Sequence, residues 1–436
     1  MLLGAAVLHA EEATLSNLWH AVEQNHPRIK ATLEIQRANI FEEGRAATWQ
    51  NPEISVEGEN LGGDLPGTDQ AEWTLSLAQP IEWPGRRSRR LRAARIQRTY
   101  DDSKVHVIIL SLAKDFSRDF YETLALQEQV RLQMEALEQA HAFVRMAELR
   151  VEAGKSTVLE VNKAKMEQIQ LEIHLQDAQK TLLNALTEMG KRAGLRTAPE
   201  VLEGDLYRLP EVPDRNHIHS ALYYESFDHL ERKRSLHLWE LSIAEAEKAW
   251  IPDLILSAGV RQNEADDAQS YLGSLGLDIP LWNRGNYDKG LAKARVKEAQ
   301  LEKALADQEL QLATTKRENE LNLQRQRILR YRNDLIPLLK HHARQAEQSY
   351  REGWIGYLEY LEARNDYLEV QFEYLDALKT YHIDERSIRS IAEKQAQLGS
   401  NFYEANTAPS DDIHALKGQP VQYHAIRPNP EKTHEN

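Results

Sequence analysis

The chain has 436 residues and no cysteine, which excludes disulfides, thiolate metal sites, a cysteine nucleophile and a lipidated cysteine anchor. Its net charge is -14, and its only basic cluster, Arg86–Arg95, is local, so a nucleic-acid partner is not expected. The length would allow two or three ordinary domains, but long stretches of Glu, Gln, Lys, Arg, Ala and Leu with a mean hydropathy of -0.62 are the composition of long helices.

In chain order, residues 1–10 of MLLGAAVLHAEEA read as the remnant of a signal peptide: a short apolar run, then Ala10 as a cleavage residue, with no positive n-region. A helix over 14–48 follows, interrupted by Pro27. Strands are expected over 52–61 and 72–83, joined by GGDLPGTDQ. A very long helix runs over 88–152, turns at Gly154 and returns over 157–193. Residues 195–214, rich in proline and charge, read as a linker. The same order then recurs: a helix over 215–249, strands over 253–262 and 271–282 joined by EADDAQ, a helix over 287–352, a turn at Gly353 and a return helix over 357–397. Residues 399–436 form a polar tail. No segment approaches 18 consecutive apolar residues, so no transmembrane helix is expected.

The recurrence is a duplication. Shifted by 200, Pro52 falls on Pro252, Pro80 on Pro280 and Gly85 on Gly285, while Ile54, Val56, Leu75 and Leu77 fall on Leu254, Leu256, Leu275 and Leu277. Shifted by 199, Gly154 falls on Gly353. One repeat covers 11–194 and the other 215–398. Along the helices Val130, Met134, Leu137, Ala140, Val144, Ala147 and Val151, and on the return Val161, Ala164, Gln168, Leu171, Leu175 and Ala178 with Gln168 as one polar break, keep a seven-residue spacing that predicts coiled-coil packing with close, alanine-lined contacts. A helix over 88–152 spans about 100 Å at about 1.5 Å per residue. The leading and return helices together match that length, so they are expected to stack end to end beside it.

The strands alternate with period two. Trp73, Leu75, Leu77, Ile81 and Trp83 share one face, and Thr74, Ser76, Ala78, Pro80 and Glu82 the other; Tyr271, Leu275, Leu277, Ile279 and Leu281 repeat the apolar face. Ten-residue alternation with aromatics near the ends suits a strand between lipid and water. The alternative is a soluble hairpin with one face on a core, but the neighbouring helices are committed to a coiled coil. Four strands cannot close a barrel, and an open edge in lipid leaves backbone groups unsatisfied. Several chains must then share one barrel, and three give twelve strands.

On the segments LSLAQPIEWPGRR and LGLDIPLWNRG, and the tips RVEAG and YREGWIGYLEYLEA, with Pro337 upstream of the second, the sequence resembles the TolC family of outer-membrane factors over nearly its whole length. QPIEWPGRR is most similar to CzcC-type members that serve heavy-metal pumps. The resemblance implies long helical hairpins plus four strands per chain, assembled as a homotrimer with a 12-stranded β-barrel in outer-membrane lipid and a periplasmic α-barrel. It implies a passive exit duct, not an enzyme, without cofactor or resident metal, partnered by a periplasmic adaptor and an inner-membrane pump of the RND type. Glu359 and Glu362, three apart and so on one helix face, match positions that narrow the periplasmic entrance, where an acidic ring selects cations. Read without the family, they are solvated surface glutamates. Gly154 and Gly353 end helices at the hairpin tips, and with Trp354, Ile355 and Tyr357 they are expected to dock the adaptor; tip packing within the trimer is the other reading. Pro80, Gly85, Pro280 and Gly285 mark the barrel-to-tube junctions. AGKST at 153–157 lacks the glycine loop of a phosphate-binding motif, and His217, His219, His341 and His342 lack a chelating spacing. A soluble coiled-coil scaffold is the alternative function.

Overall fold

The computed structural model describes residues 13–61, 70–83, 85–225, 227–282 and 284–407. The leader-like run 1–10, most of GGDLPGTDQ and the tail beyond 407 lie outside these residues. The chain divides into one unit over Met1–Ala392, described here, and a second over Glu393–Asn436.

The first half forms α1 (Leu15–Asn25), α2 (Pro27–Ala47), β1 (Glu53–Glu59), β2 (Glu72–Ile81), α3 (Arg86–Glu152) and α4 (Val158–Arg192). Pro27 breaks the leading helix as expected. It sits in the first turn of α2, where a missing N–H costs nothing, and His26 Nδ1 accepts from the Arg28 N–H at 3.2 Å. The second half forms α5 (Arg215–Glu225), α6 (Phe227–Ala246), β3 (Asp253–Asn263), β4 (Ala268–Asp278), α7 (Asn286–Arg330), α8 (Ile336–Glu352) and α9 (Tyr357–Thr407). The helix expected over 215–249 is described as α5 and α6 on either side of residue 226, which lies outside the described residues, and it ends at Ala246.

The helix expected over 287–352 is also divided. Residues Tyr331–Leu335 form a π-turn between α7 and α8. Pro337 explains it: proline offers no N–H and its ring crowds the carbonyl four residues back. Widening one turn relieves both. The Ile336 N–H then reaches the Tyr331 carbonyl, five residues back, and the helix continues. The matching stretch of α3 runs through 67 residues unbroken.

Helices α2 and α6 pack against α3, and α4 folds back along it. Lys165 pairs with Glu148 at 2.7 Å near the tip, and Arg192 pairs with Asp119 at the other end of α4. A Cβ on Gly194 would lie 2.8 Å from that of Asn25, so α4 ends where α1 ends. The return and leading helices thus stack beside α3. Ala136, Ala140 and Ala147 of α3 and Ala164 and Ala178 of α4 are buried along the seam, whereas Met134 is 54% exposed. The linker is a fitted strap. Leu202 and Leu206 are buried in the core with Leu18, Phe120, Leu124 and Ile328. Gln127 holds both the N–H and the C=O of Leu202, at 3.0 and 3.3 Å, and the Tyr381 hydroxyl donates to the Pro210 carbonyl at 2.9 Å. Each buried leucine stabilises this wrap by about 2 kcal/mol.

The four strands form one antiparallel sheet in the order β1-β2-β3-β4. Strand β4 starts earlier than expected because the turn is only Glu264–Asp267, with Asp267 at φ 48°. It also stops earlier, at Asp278, before Pro280.

Candidate functional site

Register fixes what each face of the sheet carries. Ile54 pairs with Leu77 and Val56 with Leu75; Leu75 pairs with Val260 and Ile81 with Leu254; Leu256 pairs with Leu275 and Val260 with Tyr271. These residues share one face, and it is uncovered: Ile54, Val56, Leu75, Tyr271 and Leu275 are all more than half exposed. The strands contain seven charged residues, Glu53, Glu57, Glu59, Glu72, Asp253, Arg261 and Asp278. By register all seven occupy the opposite face. There Ser55 and Ser76 bond across strands at 2.7 Å, and Arg261 donates to Thr74 and Glu72, each at 3.0 Å. A sheet in water on both sides has no reason for so complete a segregation; one between lipid and an aqueous interior requires it.

The apolar face has measurable limits. Trp73 and Trp83 lie on it ten residues apart, or about 33 Å of strand and about 25 Å of height at a usual barrel tilt. All four crossings between helix and strand carry an exposed tryptophan: Trp49 after α2, Trp83 after β2, Trp250 after α6 and Trp282 after β4. Tryptophan at each crossing is how a chain marks a membrane interface.

The junction residues act differently. Pro80 lies within β2, opposite Ile255, and the ladder continues to Ile81. It does not end the strand. It stands beyond the start of β1, whose last pair is Glu53 with Ala78, so the missing N–H takes nothing from that edge. Pro280 lies past β4. Gly85 and Gly285 precede α3 and α7 in left-handed conformation, φ 108° and 80°. A Cβ on Gly285 would also meet the Ala246 carbonyl at 2.4 Å.

The two tips are built alike. At Gly154 (φ 71°) the Lys155 N–H donates to the Arg150 carbonyl at 2.8 Å, and the Gly154 N–H to Val151 at 2.9 Å. At Gly353 (φ 87°) the Trp354 N–H donates to Ser349 at 2.8 Å, and the Gly353 N–H to Tyr350 at 3.0 Å. Both are six-to-one, five-to-two glycine caps. Trp354 is exposed, Ile355 half-buried and Tyr357 buried. Glu359 and Glu362 are exposed, and Glu359 accepts the Gly356 N–H at 2.9 Å. It thus closes the first turn of α9 as a capping-box glutamate does.

Sequence reasoning missed how the tips are joined. The Tyr350 hydroxyl donates to Glu160 of α4, and the Arg150 guanidinium donates to the Tyr350 carbonyl while lying 4.5 Å from its ring centre. Phe143 stacks on Tyr357 and Tyr360, each at 4.8 Å. Arg364, buried, donates to the Ala136 carbonyl at 2.9 Å and pairs with Glu167 at 3.6 Å. Burial, then the Glu160 carboxylate, pushes the Tyr350 phenol well above its ordinary range. Burial pushes Tyr357 up to about 12. One signal was available: under the 199 shift Glu160 is the first-repeat counterpart of Glu359.

Among the described residues no group of three or more His, Asp or Glu could hold a metal ion, and no helix is long and apolar enough to cross a membrane.

The family model for the outer membrane efflux protein matches residues 5–194 and 236–392. Cobalt-zinc-cadmium resistance protein CzcC of Cupriavidus metallidurans is 25% identical over 317 residues, 71% of this chain and 74% of that protein. Nickel and cobalt resistance protein CnrC of the same organism is 24% identical over 305 residues, 69% of this chain and 71% of that protein. Crystal structures of CusC, described in terms of transmembrane channel formation, share the fold with a TM-score of 0.68 at 15% identity, over 87% of this chain and 92% of that one.

Proposed function

The chain belongs to the outer membrane efflux protein family, and from that membership we propose that it conducts heavy-metal cations out of the cell, fed by an RND-type pump through an adaptor docked at the helical tips. Members of the family are outer-membrane ducts with a long periplasmic helical extension, not enzymes; they form trimeric channels and work with periplasmic adaptors and inner-membrane pumps.

The observation that carries the reading is the sheet. Its apolar face is uncovered, its charges all lie on the other face, and its edges β1 and β4 run antiparallel. The β4 edge of one copy can therefore pair with the β1 edge of the next in unbroken antiparallel order until twelve strands close. A soluble scaffold would leave this face in water. Metal cations as cargo are supported by the resistance proteins CzcC and CnrC, to which the chain is similar. The tips serve as the gate: Glu362 and Glu359 set its charge, and the Tyr350–Glu160 link holds the second hairpin to the first. The test is outer-membrane fractionation followed by planar-bilayer recording and metal tolerance of a deletion strain. A fully soluble protein without conductance would overturn the duct; a strain sensitive to organic compounds but not to metals would overturn the cargo.

A further inference from the structure

Where β2 passes into α3, two cations meet over a glycine. Gly85 is left-handed at φ 108°, and α3 begins there without a side-chain cap. A Cβ on Gly85 would stand 3.2 Å from Arg89 Nη1 and 4.0 Å from Lys248 Nζ. Apart from the residues flanking Gly85, no other heavy atom among the described residues comes within 4 Å of that point. The point is therefore open, and positive charge faces it from two elements, α3 and the turn after α6.

Neither cation has an acid. Among the described residues Arg89 and Lys248 make no ion pair, and Arg89 Nε is buried with no acceptor. A buried donor left without an acceptor is costly, and the native remedy is to supply one. The acids nearby are taken: Asp253 by Arg86, Glu82 by Arg90 and Glu247 by Lys289. The second junction gives the contrast. Under the 200 shift Arg89 falls on Lys289, which has its carboxylate at 2.9 Å, whereas Arg89 meets a lysine.

We propose that this point holds the phosphate of an anionic phospholipid from the leaflet that faces the periplasm. The proposal rests on the duct reading, which puts the junction at the membrane interface. Trp83 lies two residues before Gly85 and Trp250 two after Lys248, and both are exposed, as suits headgroup depth. Basic pockets between helices bind anionic headgroups, and the opening turn of α3 adds the positive end of its dipole. Arg86 and Arg90 turn to the polar face, where their acids are. Arg89 lies about a quarter-turn round the helix from them, and Arg92, exposed and without an acid among the described residues, lies further round on the outer side. A further copy of the chain does not cover the site. Helices α3 and α6 lie between α2 and α7, and strands β2 and β3 between β1 and β4, so copies add at the outer elements. Lipid is the occupant that remains, and held there it fixes the depth at which barrel becomes tube. A trimer would carry three such sites.

The experiment titrates the purified, delipidated full-length protein in detergent with phosphatidylglycerol or phosphatidylcholine and counts bound lipid by native mass spectrometry. Conductance of the same preparation in planar bilayers reports the duct by itself. The expected result is preferential retention of phosphatidylglycerol, weakened about tenfold or more in Arg89→Gln with Lys248→Gln, which removes two headgroup-facing cations. Lys248→Glu, which gives Arg89 the acid that Lys289 already has, should weaken it as much without loss of assembly, and it covers the case in which the double variant does not assemble. Lys289→Gln, at the other junction, should leave retention unchanged. A conducting wild type that holds the two lipids alike, retention unchanged in the Arg89 and Lys248 variants, or an equal loss in Lys289→Gln would overturn the site while leaving the duct standing. Displacement of phosphatidylglycerol by millimolar inorganic phosphate would overturn the lipid as occupant. A wild type without conductance would overturn the duct and the site together.

Discussion

Tyr350→Phe isolates one of the bonds that join the two tips. The ring keeps its place against Phe143 and under Arg150, and the backbone carbonyl still accepts from Arg150. Only the hydroxyl that donates to Glu160 is lost. A hydrogen bond to a charged group is worth about 1.5–3 kcal/mol. Glu160 is half-buried and keeps its bond from Ser156, so the lower value applies. Taken as independent, three chains then contribute about 4.5 kcal/mol, or roughly a 2,000-fold shift of the closed–open equilibrium. Moving a gate from 1:99 to 99:1 takes about 5.5 kcal/mol, so a duct that is about 1% open should become open most of the time. Single-channel recording measures this directly as open probability. An open probability unchanged in Tyr350→Phe, with the trimer intact, would refute the argument that this link holds the tips together.

Glu359→Gln with Glu362→Gln should keep the α9 cap, because an amide oxygen still accepts the Gly356 N–H, yet weaken cation preference; an unchanged reversal potential would remove both residues from the gate. Leu275→Arg places a charge on the apolar face at mid-strand and should cost about 2–4 kcal/mol, whereas Ser274→Arg on the other face should be tolerated; equal losses of outer-membrane trimer would refute the facing. Gly285→Ala should abolish assembly, since its Cβ would press on the Ala246 carbonyl, while Gly154→Ala, with nothing within 4 Å, should cost only about 1 kcal/mol of backbone strain; heat-stability of the trimer compares them. Tyr350 and Tyr357 both have raised pKa values, Tyr357 to about 12. Their contribution is whole below the ordinary tyrosine value of about 10 and is lost as pH rises from there towards about 12. Tyrosinate absorbance should show a late-titrating class that vanishes in the unfolded chain.

The sequence carried most of the fold because each of its signals is local. Alternation, punctuating glycines and heptad spacing placed most long elements within a few residues, although α9 runs to Thr407, ten residues past its expected end. It also named the apolar face, since Leu75 and Leu275 need only period two to be read. What stayed hidden depends on distant partners. The π-turn at Tyr331–Leu335 is an accommodation that Pro337 demands but does not specify. Glu359 was legible as an exposed acid on a tip helix, but its bond to Gly356 needs the turn geometry. Tyr350 and Glu160 lie 190 residues apart, and no spacing rule joins them.

The duplication makes the differences between halves more telling than the likenesses. Both halves need the same strands, junction glycines and tip caps, because each must cross the same membrane and turn at the same depth. Among the described residues they part company in the π-turn of the second long helix, the tryptophan at the second tip, and the pairs Arg86–Asp253 and Arg90–Glu82 at the first junction. A second hairpin with a widened turn at its root, held to the first at its tip by the Tyr350 hydroxyl, Arg150 and the Phe143 ring stack, is the one expected to swing when those links are weakened. A first hairpin with an unbroken 67-residue helix anchored by arginines at the barrel is the one that can hold still. These differences predict a division of work, with the first copy as frame and the second as moving part. A spin-label pair across α3 and α4 should accordingly keep its distance in Tyr350→Phe while a pair across α3 and α8 lengthens; movement of the first pair by as much would overturn that division.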